Sequence, residues 1–378
     1  VDMATAVCQI DGWQRAKQKI PSWASHEGIV YPQHLSVEQC SSDATAQYKA
    51  KLCQRLLDEY APNRRDTTLI DMTGGMGGDF AALAPLFGHA IYIEQQHELC
   101  RIAKHNFHIL GLNGVEIMES DSTEALKTLT HATAIYADPA RRDSHGRRTF
   151  AIADCTPNIL ENLKQSLEKT SFMMLKLSPM LDWRQALREL NSACHDAVSE
   201  IHIVAADNEC KELLFVLSTS NSKPAAIFCS NDRQLFTTDS ETELNATAPP
   251  VAGCVEEALD TRWLYEPNAA VMKVGCFHTL CRMFGVTAVA ANSHLFISDK
   301  HIPDFPGRIF KVERATTMNK KMLAETLRGI DKANITTRNF DMTPQQLRKK
   351  LKINDGGSIY LIATTTVGRK HVIYVCKK

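Results

Sequence analysis

From residue 66 onward short apolar runs alternate with amphipathic stretches, and this alternation leaves few folds open to the chain. The runs read Thr68–Met72, Ala90–Glu94, Val115–Met118, Thr133–Ala137, Phe172–Leu177 and Ile201–Ala205, with helical periodicity near 79–87, 96–110, 123–130, 156–169 and 181–192 between them. Apolar runs of this kind suit parallel strands covered on both faces by crossover helices. The pattern predicts a Rossmann-like, doubly wound α/β sheet whose ligand lies beyond the carboxyl ends of its strands. Residues 211–219, 225–230 and 234–238 read as strands that finish it.

At 378 residues the chain exceeds one ordinary core, so several domains are expected. Residues 1–65 read as a peripheral helical region anchored by Trp13, Trp23 and a helix over 44–60, and the sheet domain as 66–245. A polar stretch, 239–252, contains Pro249-Pro250 and reads as a linker. A small unit over 253–305 and an α+β module over 306–378 follow, the latter with strands at 308–315, 334–340, 358–365 and 370–376 and helices at 318–329 and 344–352. Charge divides unevenly: residues 301–378 hold 16 Lys and Arg against 6 Asp and Glu, the rest 27 against 37. That asymmetry points to a module presented to a polyanion, although Lys349, Lys350 and Lys352 are equally a solvated helix face. No apolar run is long enough to cross a bilayer. Twelve scattered cysteines, with no Cys-x-x-Cys pair, suit buried thiols in a reducing cytoplasm and give no metal site.

The sharpest local feature is Asp71-Met-Thr73-Gly-Gly75-Met-Gly77-Gly78-Asp79, a strand end, a glycine turn and a helix start. Glycines there let a ligand approach the backbone, and helix-start amides add donors; a tight structural turn would look the same. The spacing is not that of a dinucleotide turn, which disfavours a dehydrogenase. An acid before the turn would oppose a pyrophosphate and suits a cation such as an amino acid's ammonium. Glu94 ends the second run, where a carboxylate can accept two ribose hydroxyls. Asp121 follows the third, within reach of an adenine amino group, and Asp138 ends the fourth. Any one of these acids is accounted for by a helix N-cap, whereas four in register point to one ligand.

Asp71-x-x-x-Gly75-x-Gly77-Gly78, Ile91-Tyr-Ile-Glu94, Ala103-Lys-His-Asn106 and Gly111-Leu resemble class I methyltransferases that modify the guanine 2-amino group of RNA caps. Pro21-Ser-Trp23, Asp138-Pro-Ala-Arg-Arg142, Leu175-Lys-Leu-Ser-Pro179, Tyr265-Glu-Pro-Asn268, Phe305-Pro-Gly-Arg308 and Gly356-Gly357 resemble bacterial methyltransferases with a THUMP-like C-terminus. The resemblance implies S-adenosylmethionine as cofactor, a ferredoxin-like unit around 260–305, a THUMP-like module from about 306 and RNA as partner. With the readings above, it implies a cofactor site of Asp71, Thr73, Gly75, Gly77, Asp79, Glu94, Gln95, Asp121, Ser122 and Asp138.

Amino-group methyltransferases commonly carry Asn/Asp/Ser-Pro-Pro-aromatic after the fourth strand, where an acid and a carbonyl aim the target NH₂. Here Asp138 and Pro139 match that pattern, while Ala140 and Arg141 replace the second proline and the stacking ring. Asp138 and Pro139 are therefore expected to position the acceptor and Arg141 and Arg142 to orient a nucleotide, with Arg147 and Arg148 adding charge. Lys176 and Ser178 are expected to shape the same cleft. The expectation is an RNA methyltransferase, with a base amino group as a candidate acceptor; the alternative is an RNA-binding protein that keeps the fold without the chemistry.

Overall fold

The first apolar run forms strand β1 (Thr68–Asp71), buried from Leu69 onward. In the computed structural model, which describes residues 2–32, 37–141, 152–219 and 223–378, it is followed by β2 (His89–Glu94), β3 (Glu116–Glu119), β4 (Ala132–Ala137) and a short antiparallel pair, β5 (Ala140–Arg141) and β6 (Cys155–Thr156). Next come β7 (Thr170–Leu177), β8 (Val198–Ala206) and β9 (Glu209–Leu217). Among these strands the order in the sheet is β8-β9-β7-β4-β1-β2-β3. The pairs β1–β2, β1–β4, β2–β3 and β4–β7 are parallel, and β9 runs antiparallel to β7. Every expected crossover helix is present, two of them started by acids: Asp121 for Ser122–Thr128 and Asp182 for Trp183–Ala193.

The chain divides into two compact units, one of residues up to 206 with 210–227, the other of 207–209 with 228–378. In the first, the N-terminal region is not peripheral. Trp23 and the helix residues Leu52, Cys53, Leu56 and Leu57 share one core with Leu69, Phe80, Tyr92, Phe107 and Phe172. The reason is periodic: the buried positions of Asp43–Tyr60 recur at helical spacing and need a partner surface. Trp13, expected to anchor this region, is instead 42% exposed, with Lys17 Nζ 3.5 Å from its ring centre.

Strand β10 (Ala226–Asn231), which starts two residues before the main segment of the second unit, is followed by β11 (Gln234–Asp239). The expected linker is partly ordered structure: Asp239 caps a short helix, Ser240–Leu244, and buried Glu243 accepts from Thr238 and Thr279 hydroxyls at 2.7 and 2.6 Å. Strands β12 (Trp263–Pro267), β13 (Thr287–Ala288), β14 (Phe296–Ser298), β15 (Gly307–Thr317), β16 (Asn334–Arg338), β17 (Ile359–Thr365) and β18 (His371–Lys377) then form one sheet, ordered β13-β14-β12-β15-β18-β17-β16. Alternation along β18 divides the packing, with Val372, Tyr374 and Cys376 joining Leu264 and Phe310, and Ile373 and Val375 joining Leu347 and Leu361. Residues 263–306 and 307–378 thus supply neighbouring strands of one sheet.

Their junction is tight. Glu266, 3% exposed, accepts from Arg308 Nε and Arg338 Nε, each at 2.8 Å, so the sheet curls enough for β16 to reach β12. A Cβ on Gly307 would lie 2.1 Å from the Glu266 carbonyl oxygen, which explains the glycine opening β15. Gly307→Ala is expected to cost about 1–3 kcal/mol of stability by forcing these backbones apart, read from the urea midpoint.

Candidate active site

The carboxyl ends of β1, β2, β3 and β4 open on one cavity of about 750 Å³. Asp71, Thr73, Gly75, Gly77, Asp79, Glu94, Gln95, Asp121, Ser122, Asp138 and Pro139 all line it. The side chain of Arg141, and Arg142, Arg147 and Arg148, lie outside the described residues. Lys176 and Ser178 line the cavity, and so does Glu38–Ser41, which carries no motif that sequence reasoning could have caught.

The glycine turn is held by short, specific bonds. Tyr92 Oη donates to the Gly75 carbonyl at 2.6 Å, and Gly77 has φ 83°. A Cβ on Gly74 would lie 2.4 Å from Tyr92 Cζ, and one on Gly77 would lie 2.7 Å from Phe107 Cζ. These glycines are therefore required by the aromatic packing beneath the turn as much as by any ligand above it. Glu94 accepts from the backbone N–H groups of Gly75 and Gln96, both at 2.9 Å, fixing its carboxylate at the turn. Asp121 Oδ1 accepts from the Thr123 and Glu124 amides at 2.8 and 3.3 Å, so it caps its helix while lining the cavity.

Asp71 is 2% exposed and accepts from the Thr73 amide at 2.9 Å and hydroxyl at 3.3 Å. Thr73 Oγ1 in turn accepts from the Asp138 amide at 2.7 Å, tying the end of β1 to the end of β4. Burial pushes the Asp71 carboxyl up to about 8, with the charges of Asp79 and Asp138 adding to it against the bonds from Thr73. Among the described residues no cation pairs with it.

Asp79, expected to face a ligand, is occupied elsewhere. Its Oδ2 accepts from Ser41 Oγ at 2.8 Å and Tyr136 Oη at 2.6 Å, and its Oδ1 lies 3.1 Å from Lys49 Nζ. Lys49 is fully buried and donates to both Glu212 oxygens, at 2.8 and 2.7 Å, and to Ser41 Oγ at 3.0 Å. Burial alone would raise Asp79, but Lys49, Lys176 and the two hydroxyls outweigh it and hold the carboxyl below the usual range. Glu212 is pushed up, chiefly by burial. Lys176 donates to Asp138 Oδ2; burial disfavours its charge, but Asp138, Asp79 and Glu212 together hold its ammonium above the ordinary lysine range.

Two family models match the chain's C-terminal third: a ferredoxin-like domain over residues 263–306 and a THUMP domain-like module over 307–378. No curated protein matches. The crystal structure of a "putative methyltransferase from Porphyromonas gingivalis W83" is 32% identical with a TM-score of 0.85, covering 99% of this chain and 90% of that one. The chain belongs to this methyltransferase family. More distant structures include a "putative class I S-adenosylmethionine-dependent methyltransferase" from Listeria monocytogenes, at 9% identity and TM-score 0.37 over 48% of this chain and 64% of that one. Another is the Thermus thermophilus 16S rRNA N2 G1207 methyltransferase, in complex with AdoMet and guanosine, at 14% identity and TM-score 0.34 over 46% and 42%. Among the described residues no group of three or more His, Cys, Asp or Glu could hold a metal ion, and no helix is long and apolar enough to cross a membrane.

Two measurements follow from the charges in the methyltransferase cleft. Because Asp71 titrates near 8 when folded rather than near 3.8, its share of stability is intact below about pH 4 and is lost as pH rises through 8. Urea midpoints of the wild type and Asp71→Asn are expected to shift in the variant's favour between pH 5 and pH 8, by up to about 1.4 kcal/mol per pH unit. Lys49→Ala leaves two buried carboxylates without their cation and is expected to cost about 3–5 kcal/mol in the same measurement.

Proposed function

We propose that the chain transfers a methyl group from S-adenosylmethionine to a nucleotide of RNA. The observation that carries this reading is the convergence of Asp71, Glu94, Asp121 and the Asp138–Lys176 pair on one cavity at the sheet's carboxyl edge. A buried carboxyl raised to about 8, with no cation paired to it among the described residues, fits an ammonium, whose arrival favours its ionised form. Glu94, pinned by two backbone amides, fits a pair of ribose hydroxyls, and Asp121 fits an adenine amino group through the capacity its helix cap leaves over. When bound, S-adenosylmethionine supplies a methyl group on a positively charged sulfur.

On the acceptor side, Thr73 fixes the backbone of Asp138 and Lys176 fixes its side chain, so this acid is set before the acceptor arrives. Ser178 and Pro179 line the same wall. RNA is favoured by the second unit, where Lys320, Lys321, Lys349, Lys350, Lys352 and Lys370 are all exposed. In this reading residues 253–305 and 306–378 act as the ferredoxin-like and THUMP-like modules of a single RNA-facing sheet.

Two results are expected. Asp138→Ala lowers methyl transfer to RNA from cells lacking the gene by at least about 10²-fold, while calorimetric affinity for S-adenosylhomocysteine stays within about threefold. Replacing Lys320, Lys321, Lys349 and Lys350 with Gln weakens RNA binding and flattens its salt dependence, by about 0.9 in log–log slope for each phosphate no longer neutralised. Methyl transfer to a protein or small molecule alone, with RNA binding unchanged by the lysine substitutions, would overturn the proposal. Point substitutions are the right tool, because deleting residues 307–378 would remove β15 and β18 from the middle of a sheet.

A further inference from the structure

We infer that the acceptor is a ribose hydroxyl of the RNA and not a base amino group, because Lys176 stands as a fixed cation on the carboxylate that receives the acceptor. The inference rests on the RNA methyltransferase reading above and specifies the atom. Lys176 Nζ donates to Asp138 Oδ2, and both residues line the cavity. One oxygen of Asp138 is thereby engaged, and an ammonium lies next to whatever the other oxygen binds.

The two acceptor chemistries respond oppositely to that ammonium. An amino nitrogen gains positive charge as it takes a methyl group, so a neighbouring cation opposes its transition state. A hydroxyl oxygen gives up its proton and carries negative charge on the way, so the same cation assists it. The network behind Lys176 keeps the charge in place. Asp79 and Glu212 face it, themselves balanced by Lys49, and Lys49 is fully buried. Four residues from four separate elements thus alternate in sign from the helix Asp43–Tyr60 to the cavity wall: Lys49, Glu212, Lys176 and Asp138.

A second observation is independent of charge. An enzyme that modifies a base draws it from the stack and holds it between aromatic or apolar side chains, aromatic rings giving the larger stacking surface. Among the described lining residues the one aromatic is Tyr136, which is 1% exposed and gives its hydroxyl to Asp79. The position of the stacking ring in the amino-group methyltransferase pattern, two residues after Pro139, holds Arg141 in place of an aromatic. A sugar hydroxyl asks for no such platform, and the 2′-hydroxyl is the group that distinguishes RNA from DNA.

The step balances with the residues present. The hydroxyl oxygen forms its bond to the methyl carbon as the carbon–sulfur bond of the sulfonium donor breaks, the pair remaining on sulfur. The hydroxyl proton passes to Asp138 in the same step, its transfer running ahead of bond formation so that the oxygen carries the negative charge that the Lys176 ammonium stabilises. An ether, a thioether and a carboxylic acid result, and Asp138 returns its proton to water.

RNA from cells lacking the gene, incubated with the enzyme and isotopically labelled S-adenosylmethionine, is digested to nucleosides and read by mass spectrometry. Label on ribose is expected. Label on a base with ribose unmodified overturns the inference and leaves RNA methylation standing, whereas no label in any RNA overturns the reading beneath it. Lys176→Met is expected to lower kcat at least about 10²-fold with the donor KM unchanged, and Lys176→Arg, which keeps the cation, to retain more than about a tenth of the rate. Equal loss in both variants would overturn the role given to the charge. In the donor-free protein, the ¹⁵N signal of Lys176 Nζ, assigned by its absence in Lys176→Arg, is expected to remain in the ammonium form to pH 10. Titration of that signal below pH 8 would equally overturn the inference.

Discussion

A single buried ammonium holds the catalytic unit together. Lys49 is shut off from water; it donates to Glu212 and Ser41 and forms an ion pair with Asp79. Those partners come from strand β9, from the segment that lines the cavity and from the helix that follows the glycine turn. Buried charges are tolerated only when their partners are placed with little freedom, so the pairing dictates where each of these elements can sit. The position of Lys176, and through it of Asp138, follows from the same arrangement of charge. Stability and site geometry are here one constraint.

The sheet was legible because its signal is the bulk property of apolar periodicity, and six strands and five crossover helices fall within a few residues of where that periodicity puts them. The acids at the strand ends were legible for a related reason, since topology alone brings the carboxyl ends of parallel strands together. Lys49 and Glu212 were not, because a charged residue in an amphipathic helix or at the start of a strand reads as solvated. The signal was nevertheless present. Lys49 lies three residues from Ala46 and from Leu52 and four from Thr45 and Cys53, all of them buried, so it occupies an apolar position of its helix. Glu212 directly precedes five buried apolar residues of β9. A charge on the inward phase of an element is a better pointer to a site than a charge in a loop.

Asp79 and Asp121 teach the converse. Both stand where a ligand-binding acid was expected and both line the cavity, yet one is absorbed into the buried network and the other also caps a helix. Sequence position assigns a residue to a region, and hydrogen-bond partners decide what it has left to offer there. Trp13 failed as an anchor for a simpler reason: aromatic content does not reveal which side of a helix meets the core, and this side carries Lys17 over the ring.

The seam between β12 and β15 has a consequence for how such chains diversify. One family model ends at residue 306 and the next begins at 307, but the strand starting there is zipped along its first five residues to β12, with Gly307 against the Glu266 backbone and two arginines on one carboxylate. A recombination point placed at that boundary would separate strands that cannot bury their faces alone. The two modules are therefore a single unit of inheritance, to be exchanged between proteins together or not at all.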